Sequence, residues 1–364
     1  VISPDYPPAK GGIQILTHRV AQHFTRVDPT IITLETAGAA EFDADLPFEV
    51  IRVPTSRGPR MLDVARLNFE AFRAGLQLKP DVVLCGHIIV SPAAAAIRRC
   101  TGSPMVLYVY AKEVGARPEL ASFALKRASS IVAISAYTRD LALSAGANPD
   151  RIRLIPPGVD LPERAPTPRA GRDPGRRPTI VTIARLEDRY KGHDVVIRSL
   201  PLVRAKIPDV RWIVIGDGPL RPALENLTEM VGVADAVSFL GPLPDAERDA
   251  WLDQADAFVM VSRLPAGGYA GEGFGIVYLE ANARGVPALA ANVGGAVDAV
   301  ADGQTGVLVD PTDPLVVADA LIELLTDHPR SARLGAQGVE RAQGFAWPEI
   351  SARVEDLLMS VAQR

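Results

Sequence analysis

Cysteine is nearly missing from this chain. Its 364 residues include two, Cys85 and Cys100, and their spacing matches no metal motif. They read as two buried free thiols and fit a reducing cytosol. Histidine is scarce as well: five scattered residues form no metal cluster. No run of 18 apolar residues occurs, which excludes a transmembrane helix. No signal peptide is visible. The chain opens at Val1 without an initiator Met, so its first strand reads as trimmed. Tandem repeats are absent, and the one low-complexity tract is a proline-rich linker at 161–178. No large excess of either charge exists, the net being −4, but the halves differ. Residues 1–158 carry 18 Lys and Arg against 14 Asp and Glu, and residues 159–364 carry 21 against 29. A basic first half can face an anionic surface or acceptor.

What is present is apolar residues, 48% of the total, in a length that suits two domains. Short apolar runs alternate with helical spacing. Strands are predicted at 30–34, 48–53, 81–85, 105–110, 130–135 and 151–155, then at 179–184, 210–215, 236–240, 257–261, 287–291 and 306–309. The helix predicted at 61–78 carries Leu62, Ala65, Phe69, Phe72 and Leu76 along one side, with Arg66 and Arg73 elsewhere. Such alternation implies parallel sheets covered on both faces, in an α/β protein. Three parts follow: a Rossmann-like domain over 1–158, a second over 159–346 that includes the linker, and a terminal helix over 347–364. Ligands of doubly wound sheets bind beyond the carboxyl ends of the strands. His87, Tyr110 to Glu113, Arg185 to Lys191, Gly216 to Gly218 and Ser262 to Gly275 all follow strands.

The rest is organised around Glu272-Gly-Phe-Gly-Ile-Val-Tyr-Leu-Glu280. It follows a glycine loop (Gly267, Gly268, Gly271) and a buried strand, so the order is strand, loop, helix. Backbone N–H groups at the helix start, Gly275 to Val277, lack intrahelical partners and favour an anion. The flanking carboxylates would repel phosphate but accept bonds from hydroxyls. A diphosphate with a hydroxyl-rich ring at each end, a nucleotide sugar, fits that pattern. A capped surface helix with two solvated glutamates fits the spacing as well.

The Glu-x7-Glu pattern, the following Ala281-Asn-Ala-Arg-Gly285-Val-Pro287 and Gly294-Gly295-Ala resemble family 4 of the retaining GT-B glycosyltransferases. Gly-Ile-Val-Tyr-Leu-Glu-Ala is similar to the bacterial phosphatidylinositol mannoside mannosyltransferases and their relatives. The likeness spans most of the chain. It implies a GT-B fold, two Rossmann-like domains facing each other across a cleft, with the terminal helix crossing back to the first. The first domain would bind the acceptor and the second the nucleotide sugar.

By this resemblance Glu280 binds the ribose, and Glu272 the hydroxyls of the transferred sugar. Phe274, Gly275, Ile276 and Val277 supply backbone contacts to sugar and phosphate. Arg185 and Lys191 reach the diphosphate, where fixed cations stabilise the charge that builds on the leaving group. Gly11 and Gly12 form a second loop at a helix start near the donor phosphates. Gly216, Leu240 and Gly241 border the donor. No metal and no cofactor is required, the donor being GDP-mannose or a UDP-hexose.

On the acceptor side the chain departs from the family. Relatives have His-Gly-His-Glu-Val where this chain has Tyr110-Ala111-Lys112-Glu113-Val114. Tyr110, Lys112 and His87 are the acceptor candidates, for a lipid, glycan or small-molecule hydroxyl. The expected reaction is retaining hexosyl transfer by a front-face route. The alternatives are a GT-B sugar-nucleotide epimerase and a non-catalytic nucleotide-sugar-binding subunit. The expected location is cytoplasmic, with peripheral contact at the inner face of the plasma membrane through Arg66, Arg73, Arg98, Arg99, Lys126 and Arg127. No nucleic-acid partner is expected.

Overall fold

A computed structural model describes residues 1–9, 11–164, 166, 176–265 and 271–363. Gly267, Gly268 and most of the 161–178 linker lie outside the described residues. The chain divides into two compact units, Val1–Gly158 with Trp347–Arg364, and Val159–Ala346.

In the first unit the strands are β1 (Ile31–Leu34), β2 (Val50–Val53), β3 (Val83–Cys85), β4 (Met105–Val109), β5 (Ser130–Ala133) and β6 (Ile152–Leu154). Ile2 bridges both Ile32 and Cys85 in parallel, so residue 2 sits between β1 and β3. The order is β2-β1-Ile2-β3-β4-β5-β6, parallel throughout. Every residue of β4 is buried, as a parallel strand covered on both faces requires.

The second unit holds β7 (Thr179–Ile183), β8 (Arg211–Ile215), β9 (Val237–Gly241), β10 (Ala257–Met260), β11 (Ala288–Ala291) and β12 (Gly306–Val309). Its parallel sheet runs β12-β11-β10-β7-β8-β9. Counted within the unit this is the doubly wound order, and its direction reverses between β7 and β10. Both units are Rossmann-like.

The Arg60–Leu78 helix lies differently from its apolar periodicity. Asp63, Leu67, Ala71 and Gly75 face inward, while Leu62 is 58% exposed, Phe69 63% and Leu76 39%. Small residues decide this orientation. Any Cβ on Gly75 would collide with Ile97, so Gly75 and Ala71 let this helix lie close against Ser91–Thr101. Asp63 is anchored by the Ser56 N–H at 2.8 Å and hydroxyl at 2.9 Å. The thiols also divide: Cys85 is buried, but Cys100 falls off the Ala93–Ile97 stripe and is exposed. Two helices, Ala111–Ala116 and Pro118–Arg127, follow β4. Pro118 starts the second of them, where its missing N–H costs nothing.

The terminal helix Trp347–Ala362 belongs to the first unit and buries Trp347, Ile350, Val354, Leu357, Leu358 and Val361. The Glu355 carboxylate, 1% exposed, accepts from the backbone N–H groups of Thr25 at 2.6 Å, Arg26 at 2.7 Å and Val27 at 3.1 Å. Among the described residues, no helix is long and apolar enough to cross a membrane.

Candidate active site

In the second unit the reversal point between β7 and β10 is where a ligand crevice is expected, and the chain exits of both strands are tied together there. Gly192, at φ 79°, lies against the Val261 carbonyl so closely that a Cβ would overlap it. Arg263 fixes the same approach. Its backbone N–H donates to the Tyr190 carbonyl at 2.7 Å, and its guanidinium reaches Asp194 at 2.8 and 3.1 Å. This clamp carries Lys191 to the returning loop, where its Nζ meets Glu272 Oε2 at 2.5 Å. Burial works to lower the Lys191 pKa, but Glu272 more than offsets it and leaves the ammonium above its ordinary value.

Glu272 is held from its other side by the Gly294-Gly295 turn. The Gly295 N–H donates to the Glu272 carbonyl at 2.8 Å, and a Cβ on Gly295 would overlap the Gly273 carbonyl. That close approach requires glycine at 295, and a left-handed φ of 67° favours it at 294. Phe274 is buried, its ring 6.1 Å from that of Phe345. Gly275 then enters the Ile276–Ala283 helix at φ 90°. The Tyr278 N–H closes the first turn onto the Gly275 carbonyl at 3.0 Å, and the Tyr278 hydroxyl donates to the Met260 carbonyl at 2.5 Å. The N–H groups of Gly275, Ile276 and Val277 precede that first bond, as at any helix start.

Further along this helix, Glu280 has one oxygen without a hydrogen-bond partner among the described residues: Oε2, which is buried. Oε1 lies 3.9 Å from Arg248 Nη2, too far for a hydrogen bond. Burial raises the Glu280 pKa, and Arg248 opposes it. Leaving a buried carboxylate oxygen unbonded is costly, and a ligand hydroxyl would relieve that cost.

Lys191 and Glu272 are therefore in contact, whereas Arg185 is exposed and pairs with Glu187 at 3.3 Å. Gly216 and Gly241 are bridged to each other, the Gly216 N–H donating to the Gly241 carbonyl at 2.9 Å, and Gly216 abuts the Ala184 carbonyl after β7. Leu240 lies beside them, partly exposed. Sequence reasoning missed Arg248; the only trace was a charged Asp245, Arg248, Asp249 cluster on one helix.

The first unit holds the other candidates. Gly11 and Gly12 open the Gly12–Gln22 helix. His87 uses both ring nitrogens internally: Nδ1 accepts from the Ile89 N–H at 3.1 Å, and Nε2 faces Glu113 Oε2 at 3.1 Å. Burial pushes its pKa down to about 4, so the ring is neutral at pH 7. Glu113 receives the Tyr110 N–H at 3.0 Å and the Ile88 N–H at 3.2 Å. Burial pushes its carboxyl up to about 8 against the pull of those donors. Tyr110 is buried and stacked on Tyr108 with centroids 6.1 Å apart, while Lys112 is exposed. His87 and Tyr110 are thus built into the fold, and Lys112 is the most exposed of the three acceptor candidates.

Comparison with known proteins identifies the family. Residues 10–163 match the family model described as Glycosyltransferase Family 4, and residues 164–341 match Glycosyl transferases group 1. The chain is 33% identical to a GDP-mannose-dependent alpha-(1-6)-phosphatidylinositol monomannoside mannosyltransferase of Mycolicibacterium smegmatis, covering 98% of this chain and 97% of that one. It is 34% identical to a D-inositol 3-phosphate glycosyltransferase of Corynebacterium diphtheriae over 62% of this chain and 56% of that one. Among solved structures it superposes on Anabaena Alr3699/HepE in complex with UDP and glucose with a TM-score of 0.81 at 19% identity, covering 99% of this chain and 98% of that one. Sucrose-phosphate synthase from Thermosynechococcus elongatus gives the same TM-score at 22% identity, with the same coverage. The chain belongs to glycosyltransferase family 4: it has the GT-B fold and is a glycosyltransferase that uses a nucleotide sugar.

Proposed function

We propose that this enzyme moves a hexose, with mannose the favoured sugar and GDP-mannose the favoured donor, to a hydroxyl of a lipid or glycan acceptor with retention of configuration. The donor choice rests on the mannosyltransferase of M. smegmatis and its equivalents in Mycobacterium tuberculosis and Corynebacterium glutamicum. The observation that carries the reading is the unbonded Glu280 oxygen and the Lys191–Glu272 pair on either side of one helix start. Glu280 takes the ribose hydroxyls and Glu272 those of the sugar. The diphosphate lies over the N–H groups of Gly275 to Val277. Lys191, joined by Arg185, stabilises the departing diphosphate without a metal. In a front-face route that phosphate accepts the acceptor proton, so no enzyme nucleophile is needed.

The test is release of GDP from GDP-mannose and of UDP from UDP-hexoses, with and without phosphatidylinositol monomannoside or oligosaccharide acceptors. GDP release that depends on acceptor supports the reading. Donor consumed without acceptor would indicate an epimerase, and donor bound without turnover a binding subunit. Either result overturns it.

A membrane-bound acceptor is favoured by one further observation. Met61, Leu62, Phe69 and Leu76 are exposed on the Arg60–Leu78 helix, which also carries Arg66 and Arg73. Apolar and basic groups on one exposed helix suit the surface of an anionic membrane. Co-sedimentation with phosphatidylglycerol vesicles at low salt, lost in Leu62→Ser/Phe69→Ser, is expected. Equal recovery of both proteins removes this part.

A further inference from the structure

Arg248 lies on the Asp245–Gln254 helix and belongs to none of the motifs above. Its guanidinium is divided among three carboxylates: Asp249 at 3.1 Å, Asp245 at 3.3 Å and Glu280 at 3.9 Å. Asp249 has a second cation, Arg284, at 2.6 Å, which also holds Asp253. Glu280 is different: no hydrogen bond ties it to Arg248, and its Oε2 is buried and unbonded among the described residues. We propose that Arg248 is a positioning residue for the nucleotide, holding the Glu280 carboxylate as a charged but unbonded acceptor for the ribose hydroxyls. The inference rests on the reading that Glu280 meets the ribose.

The physics is a balance. Burial disfavours charge on Glu280, and Asp249, Asp245 and Asp160 add like-charge repulsion. Arg248 is the cation that opposes them. At 3.9 Å it supplies attraction without occupying the oxygens. A charged carboxylate accepts roughly twice as strong a bond as a neutral acceptor. Losing Arg248 should therefore leave Glu280 in place but push its pKa further up. Arg284 would still hold Asp249.

The experiment measures GDP and UDP binding by calorimetry for the parent, Arg248→Gln, Arg248→Lys and Glu280→Gln. Relative to the parent, Arg248→Gln should bind several-fold more weakly near pH 6 and much like the parent near pH 8, because the carboxyl has lost the cation that opposes burial. It should also lose the parent's preference for GDP over 2′-deoxy-GDP at the lower pH. Arg248→Lys should restore both. A loss equal at the two pH values, or no loss, overturns the role of Arg248. If Glu280→Gln binds like the parent at every pH, the ribose assignment itself fails. If Glu280→Gln is weakened while Arg248→Gln shows no pH dependence, only the present inference fails.

Discussion

The Lys191 ammonium and the Glu272 carboxylate, 81 residues apart in the chain, meet at 2.5 Å with both side chains largely buried. The cation proposed for the leaving diphosphate is thus paired with the acid proposed for the sugar.

Replacing Lys191 by Met removes the charge from the transition state and leaves Glu272 buried and unpaired. We expect kcat to fall by about a hundredfold or more, the usual loss for a preorganised electrostatic group. Lys191→Arg should recover part of it. Steady-state rates at saturating donor check this. Glu272→Gln should lower kcat comparably, and no sugar–enzyme adduct should accumulate in the parent under mass spectrometry. An adduct would argue for double displacement.

Gly275→Ala forces a side chain into a left-handed backbone and against the Tyr278 ring. The expected cost is about 1–3 kcal/mol in stability. Nucleotide affinity should fall as well, because the first turn must shift. Urea unfolding and GDP calorimetry measure the two effects separately. Stability lost with affinity intact would mean that the helix start does not touch the diphosphate.

Histidine protonation should make the protein sensitive to mild acid. Burial lowers His18, His87 and His193 from 6.5 to about 4. Between those values the unfolded chain binds more protons than the folded one, so stability rises with pH across that window and is lost on acidification. Urea midpoints from pH 4 to pH 7 should follow this slope, and His193→Asn should reduce it. Identical slopes in parent and variant would refute the assignment.

Glu355→Ala removes the acceptor shared by the N–H groups of Thr25, Arg26 and Val27. A fully buried donor left unsatisfied costs about 1–3 kcal/mol, and these are only partly buried, so a drop of a few degrees in Tm is expected. Although burial acts to raise the Glu355 pKa, those donors lower it overall. Its contribution is therefore present above the ordinary carboxylate range and fades as pH falls through the lowered value. A pH series of Tm for parent and variant, converging in strong acid, tests both points.

Much of the fold could be read from local pattern. The β10 and β11 runs, Ala257–Met260 and Ala288–Ala291, are buried at every residue, and each was anticipated to within one residue. The Glu272–Glu280 stretch was legible because its helix, its glycine and its two acids are neighbours in sequence. What stayed hidden depends on distant partners. Nothing near Glu355 announces the N–H groups of residues 25–27, nor anything near Glu280 the guanidinium of Arg248. The Arg60–Leu78 helix misled for another reason: hydrophobic period ranks large residues first, but close helix contact selected Ala71 and Gly75.

The first unit is interrupted in sequence, since its final helix arrives only after residues 159–346. During synthesis the second unit, being continuous, can complete its core while the earlier one still lacks Trp347, Val354 and Leu358. The portion made first is therefore finished last, and a nascent chain stalled before residue 347 would expose an unsealed apolar seam to chaperones and proteases.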